Sequence, residues 1–357
     1  MVVCKQKQKK ERIYGLDFLR AIAALGIIAH HFSGELKLRD VKMNHWLFQT
    51  YPNGSFGLLL VTWFFILSGM ALRMNYSRLS LKDLKAYFYK RFKTIFPMFW
   101  IAWFICYIQN VLRNGMLFYN GNPLRLLWTL FGLDGYVVLR YPTYYNIGEW
   151  FLGALVLVYI LYPLILKIYN KNRLVTIGGL CVLFLLVDKY HISIQTGPFR
   201  SITSCALSCV IGMLIADGLE KLQKKYVDIL TLVIFGVYLF VPLSICKNVN
   251  VSVHIFGAIG FVVVMNLGNW IMKSKILYHI FDMISKLSYP IFLLQHVIIL
   301  RVVESVYQKN LNEGLYLLLL LGTMILVTLA AWALKQIANP FIQYLDAKVY
   351  SLMKSQK

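Results

Sequence analysis

Between Tyr14 and Ser33 the chain carries Asp17, Arg20, His30 and His31 inside an otherwise apolar run, YGLDFLRAIAALGIIAHHFS. A helix of roughly 20 residues at about 1.5 Å each crosses a bilayer once, and ionisable groups within it are costly unless they face protein or water. Arg20 and His31 are eleven residues apart. At about 100° per residue that is three turns plus roughly 20°, so both leave one helix face, about 16 Å apart along the axis. A guanidinium low on that face suits phosphate, and an imidazole high on it suits proton transfer with a hydroxyl. The plainer alternative has Asp17 and Arg20 snorkelling to the interface and the two histidines ending the span.

Other side chains of the same kinds fall at matching depths. Gly148, Glu149 and Trp150 open a later apolar run on the side to which His31 rises, and a carboxylate beside an imidazole orients it as a general base. The alternative is a Glu at an exposed helix start with its Trp in the interfacial belt. WFFILSGMALR puts Ser68, Gly69 and Arg73 near the opposite face, where Lys90, Arg91, Lys93 and Thr94 also lie just before Pro97. Such a cationic cluster can seat phosphates, or it can be the ordinary charge of cytoplasmic loops. His296 is expected about 13 Å into its span, where an unpartnered ring is expensive. His45, His191, His254 and His279 are expected in loops or at span ends, in contact with water.

The elements that position these groups follow from composition. With 59% hydrophobic and 15% charged residues over 357 positions, the chain is too apolar for a soluble globule, whose charged fraction is nearer a quarter. The net charge of +22 comes from basic residues between apolar runs, which reflects membrane topology and leaves nucleic acid an unsuitable partner. Ten spans are expected: 14–33, 56–73, 94–112, 149–167, 174–190, 201–217, 228–246, 252–272, 287–306 and 314–337. With both termini cytoplasmic, about 25 of the 37 Lys and Arg fall on the inner side and about 11 on the outer. The reading is therefore an all-α polytopic bundle of about ten transmembrane helices. It comprises a basic tail (1–13), one membrane domain (14–340) and a C-terminal cytoplasmic tail (341–357). The first span is expected to be retained, because it is too long and too charged for a cleaved signal. Residues 113–148 are apolar but broken by Gly132, Asp134 and Gly135, and are expected as an interfacial or re-entrant piece outside. None of the six cysteines shows metal-like spacing, and no metal is expected.

Several of these segments together resemble the membrane-bound acyltransferase-3 proteins, which O-acetylate surface polysaccharides. They are LDFLRAIAALGIIAHH (16–31), FFILSGMAL (64–72), KRFKTIFPMFW (90–100), EWFLGALVLVYILYP (149–163) and LSYPIFLLQH (287–296). The family's Arg, ten residues, His pattern is met by Arg20 and His31, which makes His30 the neighbour. The Ser68–Gly69 turn resembles the family's FFxxSG element. Where many members have Arg-x-x-Arg before the Pro, this chain has Arg91 and then Thr94, with Lys93 turned about 100° away from position 94.

The resemblance implies acetyl-CoA as donor substrate with no permanently bound cofactor, and a stand-alone enzyme without an appended esterase-like domain. Acyl-CoA phosphates are expected on Arg20, Arg73 and Arg91, helped by Lys93, beside Ser68 and Gly69. His31 is expected at the centre of transfer, oriented by Glu149, with His30 and His296 as further catalytic candidates. Either general-base catalysis or a transient acyl intermediate fits. The expected partners are acyl-CoA, a cell-surface polysaccharide or lipid-linked glycan, and membrane lipid, in the cell membrane. A transporter or flippase is the competing class, but the paired broken helices that would favour it are not found.

Overall fold

The computed structural model describes residues 12–41, 48–195, 197–309 and 311–355, the last six by backbone alone. The long helices are α1 (Tyr14–Leu38), α2 (Phe56–Asn75), α3 (Leu81–Asn114), α4 (Glu149–Lys171), α5 (Arg173–Tyr190), α6 (Ile202–Asp217), α7 (Lys225–Phe240), α8 (Val249–Ile271), α9 (Lys275–Val306) and α10 (Glu313–Ser355). The protein is thus an all-α bundle, and a helix falls on each of the ten expected segments, although α7 ends at Phe240, short of the expected 246. Among the described residues seven helices are long and apolar enough to cross a membrane: α1, α2, α3, α4, α8, α9 and α10. The remaining three, α5, α6 and α7, have 18, 16 and 16 residues. A short hairpin pairs Thr50–Tyr51 with Gly54–Ser55 ahead of α2. Most of the basic tail, with Cys4 and His45, lies outside the described residues.

Helix ends follow local chemistry. Ser80 and Asp83 form a reciprocal capping box at the start of α3, and Gly115 at φ 70° ends it in the left-handed conformation. Asn172, Ser201 and Asn248 accept backbone N–H bonds at the starts of α5, α6 and α8. Two helices begin well before their apolar runs, α3 at Leu81 and α9 at Lys275. The polar residues leading into each run include no Gly or Pro, so nothing breaks the helix on its way into the membrane.

Helix α1 is the centre of the bundle, packed against α2, α8 and α9. Arg12 ties its start to α9 by bonding both Asp17 and Asp282. Helices α2 and α6 cross backbone to backbone. A Cβ on Gly69 would collide with the Cys209 carbonyl, and one on Gly212 with that of Ile66. Small residues at both positions allow that approach. The Ser68–Gly69 pair therefore lies in continuous helix, not in a turn, and Gly69 serves helix packing.

No membrane-length helix forms between α3 and α4. Instead the chain makes short turns at Leu126–Leu130 and Asp134–Val137. It is held by Trp103 Nε1 donating to the Tyr144 carbonyl (2.9 Å) and by the Tyr144 hydroxyl donating to that of Gly121 (2.6 Å).

Candidate active site

Five helices bring polar side chains to one cavity of about 420 Å³. Arg20 and His31 reach it from α1, Ser68 from α2, and Arg91 from α3. Glu149 and Tyr159 enter from α4, and Ser285, Tyr289 and Gln295 from α9. Arg20 and His31 thus face the same enclosed space, as their spacing requires. Much of the remaining wall is apolar, including Phe64, Phe151 and Phe292, and Phe151 packs edge-on against Phe292 at 5.1 Å.

At one end of this space, Glu149 Oε1 lies 3.4 Å from His31 Nε2 and 3.7 Å from His296 Nδ1. The two rings meet edge to face at 5.3 Å, and His296 Nε2 is 3.9 Å from Glu35 Oε1. One carboxylate therefore serves two imidazoles. His296 stands level with His31. Glu149 takes φ 40°, uncommon for a side-chain-bearing residue, directly after Gly148 at φ 92°. The turn at Gly135 presses on the Glu149 backbone so closely that a Cβ there would collide with it. The carboxylate is fixed by packing on both sides of the helix start. His30 packs edge to face on His31 at 5.5 Å, but its Nδ1 is taken by the Phe48 carbonyl at 3.0 Å and its ring lies against Gly57.

The basic residues divide into two groups. Arg20 keeps only long contacts, 3.5 Å to Asp17 Oδ1 and 3.4 Å to Ser285 Oγ, since Arg12 holds Asp17 at 2.8 Å. Arg91 lies over the rings of Tyr159 (5.4 Å) and Tyr76 (5.9 Å), and among the described residues no carboxylate is within ion-pair distance of it. Both arginines line the cavity and have charge to offer. Arg73 does not line it: its guanidinium donates to Asp217 Oδ1 (2.8 Å), Asn170 Oδ1 (2.8 Å) and the Ser77 carbonyl (3.1 Å). Lys93 is drawn to Asp346 at 2.6 Å on α10. Ser68 lines the cavity, as does Tyr159.

A second cavity, of about 370 Å³, adjoins the first and shares Ile27, His31, Val61, Glu149 and Trp150 with it. Arginines in one cavity and a carboxylate–imidazole pair that borders both cavities suit transfer of a group between two bound molecules. A family model described as an acyltransferase domain matches residues 13–335. The chain belongs to the acyltransferase-3 family. This acyltransferase is a multi-pass membrane protein. No curated protein and no solved structure matches it.

Three side chains of the acyltransferase site carry no obvious signal in the sequence. Gln295 is 1% exposed and lines the first cavity with both ends of its amide unpartnered. Tyr159 lies under Arg91 from within a run of apolar residues on α4. Arg200, in the connection before α6, reaches the second cavity. A Gln or Tyr in an apolar run at helical spacing from the motif residues is the clue that could have found the first two. His254 corrects its expected contact with water. It is 3% exposed on α8, with Nε2 at 3.1 Å from Ser204 Oγ and Nδ1 at 3.0 Å from Ser208 Oγ, a satisfied core histidine.

Proposed function

We propose that this acyltransferase moves an acetyl or other short acyl group from cytoplasmic acyl-CoA to a hydroxyl of an extracytoplasmic or lipid-linked polysaccharide, in the cell membrane. The observation that carries the reading is the single cavity joining Arg20 and Arg91 to His31 and Glu149. The CoA phosphates sit on Arg20 and Arg91, and the pantetheine arm runs along the apolar wall, so that the thioester arrives beside His31. The acceptor hydroxyl comes from the second cavity.

With His31 Nε2–H turned towards Glu149, Nδ1 keeps its lone pair and takes the hydroxyl proton as the oxygen attacks the thioester carbonyl. The carbon–sulfur bond then breaks, and the imidazolium returns the proton to the departing thiolate. The products are an ester and CoA thiol, with no net change in the protein. The Gln295 amide, buried without a partner, donates to the oxyanion of the tetrahedral intermediate. Glu149 holds the ring and stabilises its charged form, and His296 completes the surroundings of that carboxylate.

The test is incubation of the purified protein with radiolabelled acetyl-CoA and extracted surface glycan. Label in ester linkage on the glycan is expected. Binding of acetyl-CoA without transfer to any glycan or lipid-linked fraction would overturn the reading.

A further inference from the structure

The second cavity holds a charge that the transfer chemistry does not use. Arg200 is half-buried in its wall, with the guanidinium laid over the Trp150 ring at 5.4 Å. Among the described residues no carboxylate lies within ion-pair distance of it, and its side chain makes no hydrogen bond. Glu149 is the acid that acts on it, from beyond contact distance, and that acid is already shared by His31 and His296. A half-buried cation without an ion-pair partner is electrostatically unfavourable unless an anion joins it.

A second unmet group belongs to a residue of the same wall. Gln195 is 4% exposed; its Nε2 donates to the Tyr136 and Gly135 carbonyls, which fixes the amide and leaves Oε1 buried without a partner. A buried acceptor of this kind is satisfied by a hydroxyl donor. Tyr145, whose hydroxyl oxygen meets the Glu149 backbone amide, and the exposed part of Trp150 add aromatic surface of the sort that packs on a sugar ring.

We infer that the second cavity is an acceptor subsite for a sugar bearing an oxyanion, received by Arg200 on Trp150, while Gln195 Oε1 accepts from a neutral sugar hydroxyl and another hydroxyl is presented to His31. This rests on the acyl-transfer reading above and adds the acceptor's chemical class. The oxyanion has two sources: the carboxylate of a uronic-type sugar, or a phosphate, including the one joining a glycan to its lipid carrier. Arginine suits both because its planar donors match either group in pairs.

The experiment gives the full-length protein in membranes labelled acetyl-CoA and the surface glycan or lipid-linked glycan of its source cells. Each acceptor is supplied native, carboxyl-reduced, or dephosphorylated with hydrofluoric acid. One treatment is expected to cut labelling about 10-fold or more. Loss on carboxyl reduction identifies a uronate, and loss on dephosphorylation a phosphate. Arg200→Gln is expected to raise KM for the native acceptor about 10-fold or more while KM for acetyl-CoA stays unchanged, which also shows that the variant is folded. Arg200→Lys recovers part of the loss. Equal labelling of all preparations, or an unchanged acceptor KM in Arg200→Gln, overturns the inference and leaves acyl transfer standing. Absence of label on every native acceptor with the wild-type protein removes the transfer reading, and the subsite falls with it.

Discussion

His31 Nε2 lies 3.4 Å from Glu149 Oε1, although the two residues are far apart in the chain and sit on helices of opposite direction. His31 is expected to be indispensable as the proton acceptor. His31→Ala should lower the transfer rate by about 10²- to 10⁴-fold with the protein still monodisperse and still able to bind acetyl-CoA. Glu149→Gln should lower kcat less, by about 10-fold to 10²-fold, since the ring loses its orientation but not its lone pair. Single-turnover kinetics on both variants would check this, and retained activity in His31→Ala would remove it from the mechanism.

The division of the arginines makes a sharper test of donor binding. Arg20→Ala and Arg91→Ala should each raise KM for acetyl-CoA by about 10-fold or more, because each removes a charge-assisted contact to phosphate. Arg73→Ala should leave that KM alone and instead lower stability by about 1–3 kcal/mol, since Asp217 and Asn170 lose their shared partner. Titration calorimetry with CoA and thermal unfolding of the three variants separate the outcomes.

Packing between α2 and α6 should be intolerant of bulk. Gly212→Val places methyl groups where the Ile66 carbonyl lies, and the helices have to separate. The expected result is poor expression and a broad size-exclusion profile. A monodisperse, active Gly212→Val would show that this crossing has room to spare.

Asp134 gives a pH dependence whose sign can be worked out. Burial pushes its carboxyl up to about 7, against the lowering effect of the Thr129 hydroxyl that donates to Oδ2 at 2.7 Å. The folded value lies above the unfolded one of about 3.9, so the group's contribution is whole below roughly pH 4 and is lost as pH rises through about 7. Asp134→Asn keeps the Thr129 bond without that loss. Its melting temperature should exceed the wild type's by roughly 2–4 °C at about pH 8, and the gap should close on acidification. A gap that does not change with pH would exclude Asp134 as its source.

Much of the bundle was legible because apolar runs and basic connections are set by the bilayer, a strong and simple constraint. The eleven-residue spacing of Arg20 and His31 fixed their common face for the same reason. Their partners were less accessible. The partnering of Arg73 and Lys93 depends on Asp217 and Asp346, which only the packing of α6 and α10 brings near. That His296 meets His31 and Glu149 depends on how α9 packs beside α1 and α4, which no spacing within one run contains. Arg200 reads as one more basic residue between two spans until Trp150 on α4 is placed under it.

Ile27, Val61 and Trp150 border both cavities, so the same few side chains form the wall between the two spaces. A change to any of them reshapes both chambers at once. Trimming them would merge two rooms into one and take away the means of telling their occupants apart.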